Sequence, residues 1–348
     1  MAMTRFILSS TGTASAAALT LGFIASPASA AGSSYVALGD SYSSGVGTKA
    51  YLNDGTSCQR SVYAYPSLIA AARGYALSFR ACSGATVADV TNGQLSALTS
   101  STAYVSISVG GNDAGFASVL TECAQPGWMS NCNGAIDTAQ SIINNTLPSR
   151  LATLYSSIRA KAPNARVVIV GYPRVFNGQD CNALTWFSPA EESRLNSTAD
   201  LLNSRLATAA SNARFSFANP TSAFVGHAVC GSPEWLNGLS NPVSESYHPN
   251  RTGHSSGYSP VVSPKLTGAT VTVTRAVERT AAASADRLVA QARPYAVSDA
   301  QVTLKEFVTP DLNTPKAKAA AKAAGVDLSS RASIDAADRR YSALQSVG

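Results

Sequence analysis

The sequence predicts an α/β fold, a parallel sheet carrying helices on both faces. Short apolar runs alternate with helix-prone stretches up to about residue 260. Several of the runs are near-continuously apolar, as strands buried on both faces are. Beyond residue 260 the alternation stops and the composition turns Ala-rich.

Taken in order, the strands are expected at 35–38 (YVAL), 77–81 (LSFRA), 104–109 (YVSISV), 166–171 (RVVIVG) and 214–218 (RFSFA). Helices are expected at 66–73, 86–98, 134–161 and 189–212. In the third, Ile136, Ile142, Ile143, Leu147, Leu151, Leu154 and Ile158 recur at helical spacing. Pro148 predicts a kink or split there. The fourth opens on Ser188-Pro189-Ala190-Glu191, a capping serine, a proline at the first position and a glutamate three residues after the cap. Residues 261–348 hold the helix-prone stretches AAASADRLVAQA and KAKAAAKAAG and no Cys, His or Trp. They are expected to form a mostly helical or partly disordered extension, serving as a plain appendage, a cell-envelope contact or a lid.

The chain of 348 residues is 45% hydrophobic and only 13% charged, which gives it a real core and excludes charge-rich disorder. Its net charge of +6 is spread along the chain, with no basic block interleaved with aromatics, so nucleic-acid binding is not expected. The mild positive charge is compatible with transient contact with a lipid surface. Residues 1–30 have the pattern of an export signal: Arg5, an apolar middle from Ala14 to Ala25, and Ala28-Ser29-Ala30 as a cleavage site. The apolar run is too short to span a bilayer. A secreted mature chain starting at Ala31 is therefore expected, with one domain over 31–260. Six cysteines follow the signal, an even number suited to three disulfides in an oxidising compartment. Six allow 15 pairings; chain order (Cys58–Cys82, Cys123–Cys132, Cys181–Cys230) is the simplest. No C-x-x-C pair points to zinc, and no metal is expected.

The first strand runs into Gly39-Asp40-Ser41 and a Ser/Gly cluster. Functional groups of open parallel sheets gather where strands end. A serine at a helix N-terminus has backbone N–H groups facing any charge that develops beside it, which suits a nucleophile whose attack creates an oxyanion. The competing reading is that Asp40 or Ser41 merely caps a helix. A base is needed, and the chain has three histidines. His227 sits among Val225, Gly226, Ala228 and Val229, a packing context. His254 falls in a short helix. His248, in the polar turn SESYHPNRTGH, is favoured. Gly253-His254-Ser255-Ser256-Gly257 matches the G-x-S-x-G elbow, but no apolar strand precedes it and no histidine follows Ser255. After the second strand, ACSGAT offers Gly84, whose backbone N–H can approach a ligand. After the third, VGGNDAG offers the side-chain N–H of Asn112 as an oxyanion donor. Tight turns and helix caps are the alternatives for each, but three consecutive strands ending in such loops point to one oxyanion site.

In these blocks (GDSYSSG, CSGAT, GGND and SYHPNRTGH, in order over residues 33–260) the chain resembles the SGNH, or GDSL, hydrolase family, and most of all its secreted actinomycete lipases, esterases and phospholipases A. The resemblance implies a flavodoxin-like three-layer sandwich with a five-stranded parallel sheet. It implies Ser41 as nucleophile, His248 as general base, and an oxyanion hole from the Ser41 and Gly84 N–H groups and Asn112. It implies acyl transfer on lipid or other acyl esters without a cofactor, and a monomer is expected. Phospholipase A and polysaccharide acetyl esterase are the alternatives within the family, and an envelope-binding protein on the same scaffold is the non-enzymatic one. The family's aspartate three residues before the histidine is Glu245 here. Either its carboxylate or the Ser246 carbonyl is expected to orient His248, with a lean to the carbonyl. Phe116, Trp128, Trp186 and Phe187 are candidates to line an acyl groove or to pack as core.

Overall fold

Residues 1–4 and 32–345 are described by a computed structural model. Apart from its first four residues, the expected export signal lies outside the described residues. Five strands form one sheet: β1 (Ser34–Gly39), β2 (Ala76–Phe79), β3 (Tyr104–Ser108), β4 (Arg166–Val170) and β5 (Ser216–Ala218), in the order β2-β1-β3-β4-β5. Every pairing is parallel. The sheet is that expected from the apolar runs, with ends shifted by a residue or two. Val36, Leu38, Val105, Ile107, Val168 and Ile169 are almost wholly buried because helices cover both faces.

The helices Tyr65–Arg73 and Ser259–Thr267 pack against each other on one face, and Leu147–Lys161 and Pro189–Asn212 on the other. The capping box of Ser188 and Glu191 forms as its spacing predicts. The 134–161 helix runs as Cys132–Ser141, a π-turn over Ile142–Thr146, and Leu147–Lys161. Pro148 sits in the first turn of the last piece, where its missing N–H is harmless.

The boundary expected at residue 260 falls inside the helix Ser259–Thr267. Its Val262 and Leu266 are fully buried in the main core, so the body of the fold runs several residues further. The rest of the extension is helical over Arg275–Ala282, Ala285–Ala292, Ala296–Asp299, Pro315–Ala324 and Arg331–Gln345. It docks on the body, and Gly32 onward forms one compact unit. Asp299, almost wholly buried, pairs with Arg60 at 2.5 Å and Arg80 at 2.8 Å, both also buried. Ala321, Val326, Ile334 and Ala337 make a second small core with Trp128 and Trp186. The cysteines pair in chain order, Cys58–Cys82, Cys123–Cys132 and Cys181–Cys230. No helix among the described residues is long and apolar enough to cross a membrane.

Candidate active site

In strand order 2-1-3-4-5 the crossovers leave on opposite sides of β1 and β3, opening a crevice at the C-terminal ends of that pair. Gly39, the last residue of β1, lies beside Ser108, the last of β3. The loops holding Ser41 and Asn112 therefore start from adjacent points. Gly39 has φ +121°, and a Cβ there would lie 2.3 Å from the Ser108 carbonyl oxygen, so only glycine fits. Gln94 clamps the same residue, its side chain accepting from Gly39 N at 2.7 Å and donating to Gly39 O at 2.9 Å.

Asp40 caps the one-turn helix Ser41–Ser44, accepting from Tyr42 N at 3.1 Å. The buried carboxylate also accepts from the Ser108 hydroxyl at 2.7 Å and the Tyr172 hydroxyl at 2.5 Å. Burial pushes its carboxyl up to about 6 against the opposing pull of these donors. The capping reading of Asp40 and the site reading of Ser41 thus hold together. The cap sets the backbone and leaves the Ser41 side chain to point into the crevice.

Gly84 adopts φ +84° in the turn after Cys82, and the Cys58–Cys82 disulfide ties that turn to the loop before it. Asn112 donates from Nδ2 to the Ala85 carbonyl at 3.1 Å. Its neighbour Asp113 accepts from Val87 N at 2.9 Å. The second and third loops are thereby stitched together, and Ser41, Gly84, Asn112 and His248 line one narrow pocket.

The His248 imidazole bridges two oxygens. Nε2 lies 2.8 Å from Ser41 Oγ, and Nδ1 lies 2.8 Å from the Ser246 carbonyl oxygen. A carbonyl only accepts, so Nδ1 carries the hydrogen and Nε2 presents its lone pair to the serine hydroxyl. Burial lowers the imidazole to about 4, partly offset by the Ser246 carbonyl, which favours the protonated ring. The base is therefore neutral around pH 7.

Glu245 is buried, and its Oε1 accepts from the Tyr51 hydroxyl, while the imidazole Nδ1 meets the Ser246 carbonyl. The alternative to the family's aspartate, the backbone carbonyl, takes the contact. The loop pays for that with an unusual residue: Tyr247, between Ser246 and His248, has φ +59°, which costs a non-glycine residue about 1–2 kcal/mol. The turn lets the ring reach back two residues. It is held by Tyr42 OH donating to Tyr247 O at 2.7 Å, Tyr247 N to Asn237 O at 2.9 Å, and Asn237 N to His248 O at 2.9 Å. Asn237 and Tyr172 carry no local mark in the sequence, and Tyr172 meets Asp40 from 132 positions away.

The remaining candidates separate. His227 stacks on Trp235 with centroids 3.8 Å apart. His254 is fully buried and accepts from Tyr65 N through Nδ1 at 3.3 Å. The Gly253–Gly257 motif lies in the π-turn Gly253–Tyr258, with the Ser255 hydroxyl on the Thr252 carbonyl. Of the four aromatics offered for an acyl groove, Phe116 alone lines the apolar pocket that opens beside Ser41. That pocket is walled by Val119, Leu120, Ile143, Val175, Leu195 and Leu202. Trp128 and Trp186 instead pack under the C-terminal extension. Phe187 lies in the core against Phe176 and Tyr247.

Residues 37–255 match the profile of the GDSL-like lipase/acylhydrolase family. Lipase 1 of Streptomyces coelicolor is 45% identical over 241 residues, which are 68% of this chain and 88% of that protein. A lipase of Streptomyces rimosus is 43% identical over 66% of this chain and 85% of its own length. Among solved structures, phospholipase A1 of Streptomyces albidoflavus superposes with a TM-score of 0.64 at 43% identity. All of that chain is covered by 68% of this one. The extracellular lipase of Streptomyces rimosus gives 0.63 at 41% identity, with 67% and 99% covered.

Proposed function

The chain belongs to the GDSL-like lipase/acylhydrolase family and is a carboxylic ester hydrolase; from that premise we propose that Ser41 and His248 hydrolyse acyl esters of lipids through an acyl-enzyme. The observation that carries the proposal is the imidazole bridging the Ser41 hydroxyl and the Ser246 carbonyl at 2.8 Å each, beside an apolar pocket. His248 Nε2 takes the Ser41 proton as Oγ attacks the ester carbonyl carbon. The oxyanion sits among the Ser41 and Gly84 N–H groups and the Asn112 amide. The imidazolium, steadied by the Ser246 carbonyl, then passes its proton to the departing alcohol. Water repeats the cycle and releases the acid. No step calls on Glu245.

The apolar pocket favours a hydrocarbon acyl chain over acetyl, which supports lipase or esterase activity above polysaccharide deacetylation. Phospholipase A activity is the second reading, favoured by the 43% identity to the Streptomyces albidoflavus phospholipase A1. The signal pattern of residues 1–30, with a relative named an extracellular lipase, supports secretion. A fluorophosphonate probe tests the site: it is expected to label the protein once, at Ser41, and to leave Ser41→Ala unlabelled. Hydrolysis of p-nitrophenyl octanoate should fall by about six orders of magnitude in that variant. Labelling elsewhere, or full turnover by Ser41→Ala, refutes the assignment.

A further inference from the structure

The family profile ends at residue 255, and about a third of this chain has no counterpart in the Streptomyces albidoflavus structure. Part of the chain beyond residue 255 crosses the candidate site. The extension is anchored on one side by Asp299 between the buried Arg60 and Arg80, with the Arg80 guanidinium also 3.7 Å above the Tyr295 ring. On the other side Asp335 accepts from Trp186 Nε1 at 3.0 Å, and Asp338 accepts from Gly127 N at 2.8 Å. Between these anchors residues 302–310 run without regular structure.

This stretch passes directly over Gly84. A Cβ on Gly84 would lie 3.0 Å from Thr303 O and 3.2 Å from Leu304 Cα. Phe307 is buried, edge-on to Tyr247 with centroids 4.9 Å apart, and Val308 N donates to Thr121 Oγ1 at 3.0 Å. Two pockets meet at Ser41. The apolar one lacks His248 among its walls. The smaller one is walled by His248, Gly84 and Asn112 together with Lys305, Glu306 and Phe307. A general acid must touch the oxygen it protonates, so the departing alcohol lies on the His248 side and the acyl chain in the apolar pocket.

We infer that residues 302–308 are a specificity-determining strap that limits the size of the alcohol portion of the ester. The inference rests on Ser41 and His248 acting as proposed above. The strap leaves the acyl pocket alone and roofs the side from which the alcohol departs. Esters of slim alcohols are favoured under it, and an alcohol as bulky as a lysophospholipid meets Phe307, so the strap narrows the proposed reading to esters of small alcohols and weighs against the phospholipase reading.

The test uses the full chain and two substrates with the same acyl group, ethyl octanoate and dioctanoylphosphatidylcholine below its micellar concentration. Phe307→Ala is expected to raise kcat/KM for the phospholipid tenfold or more while ethyl octanoate stays within about twofold. Phe307→Leu, a gentler change should the alanine variant fold poorly, is expected to move the ratio the same way, and Phe307→Trp the opposite way. An unchanged ratio of the two kcat/KM values in folded variants, or an equal fall for both esters, overturns the strap. If the unaltered protein hydrolyses neither ester and Ser41 takes no fluorophosphonate, the site assignment fails and the strap with it. Turnover of the ethyl ester with an unmoved ratio refutes the strap alone.

Discussion

The two halves of the candidate site are held in different ways. The serine stands at the end of a central strand, on backbone locked to β3, with every neighbouring polar group engaged: Asp40 with Ser108 and Tyr172, Gly39 with Gln94. The histidine stands on an irregular loop, Asn237–Asn250, held by backbone hydrogen bonds and one residue at positive φ. Tyr42 joins the halves, following Ser41 in sequence and donating to Tyr247 O. A sheet edge supplies rigidity to whatever follows it. A loop must assemble rigidity from distant contacts, and here a backbone carbonyl stands on Nδ1 where a carboxylate stands in the usual triad.

The comparison is broken most severely on the serine side. Asn112→Ala is expected to lower kcat on p-nitrophenyl octanoate by about 10²–10³, the cost of losing one preorganised oxyanion donor. Little change in KM would accompany it, since the donor acts on charge that develops in the transition state. Near-full activity would mean that the hole has another composition. On the histidine side, Glu245→Ala is expected to cost less than about tenfold in kcat, because the carboxylate meets Tyr51 and leaves Nδ1 to the Ser246 carbonyl. A loss of several orders of magnitude would restore the carboxylate as orienter. The smallest effect sharpens the comparison by pH. His248 is depressed to about 4, so its base form persists as pH falls from 7 and is lost only as pH drops through that value. The acid limb of kcat/KM is expected well below the usual histidine midpoint of about 6.5. A midpoint near 6.5 would show a solvated ring in the free enzyme.

Fold and site were legible to different depths. The strands, the capping box at Ser188 and the glycine turns are local: period, β-branched content and φ-permissive residues sit within a few positions of one another. Ser41, Gly84 and Asn112 were reachable for the same reason, each lying within six residues of a strand end. His248 was reachable because the chain holds so few histidines. The role of Glu245 was not readable, because three residues of spacing say nothing about whether a loop turns its carboxylate inward or its carbonyl. Trp128 and Trp186 were unreadable too, since aromatic residues mark buried surface without saying what buries it.

By itself the sequence determined the parallel sheet, the order of the four loops along it and the chemistry they offer, because each depends on residues adjacent in the chain. Only the tertiary structure decided that the Ser246 carbonyl meets His248 Nδ1 and that residues 302–308 lie across Gly84. Those facts depend on contacts such as Asp299 with Arg60, 239 positions apart, which leave no periodic trace in either segment.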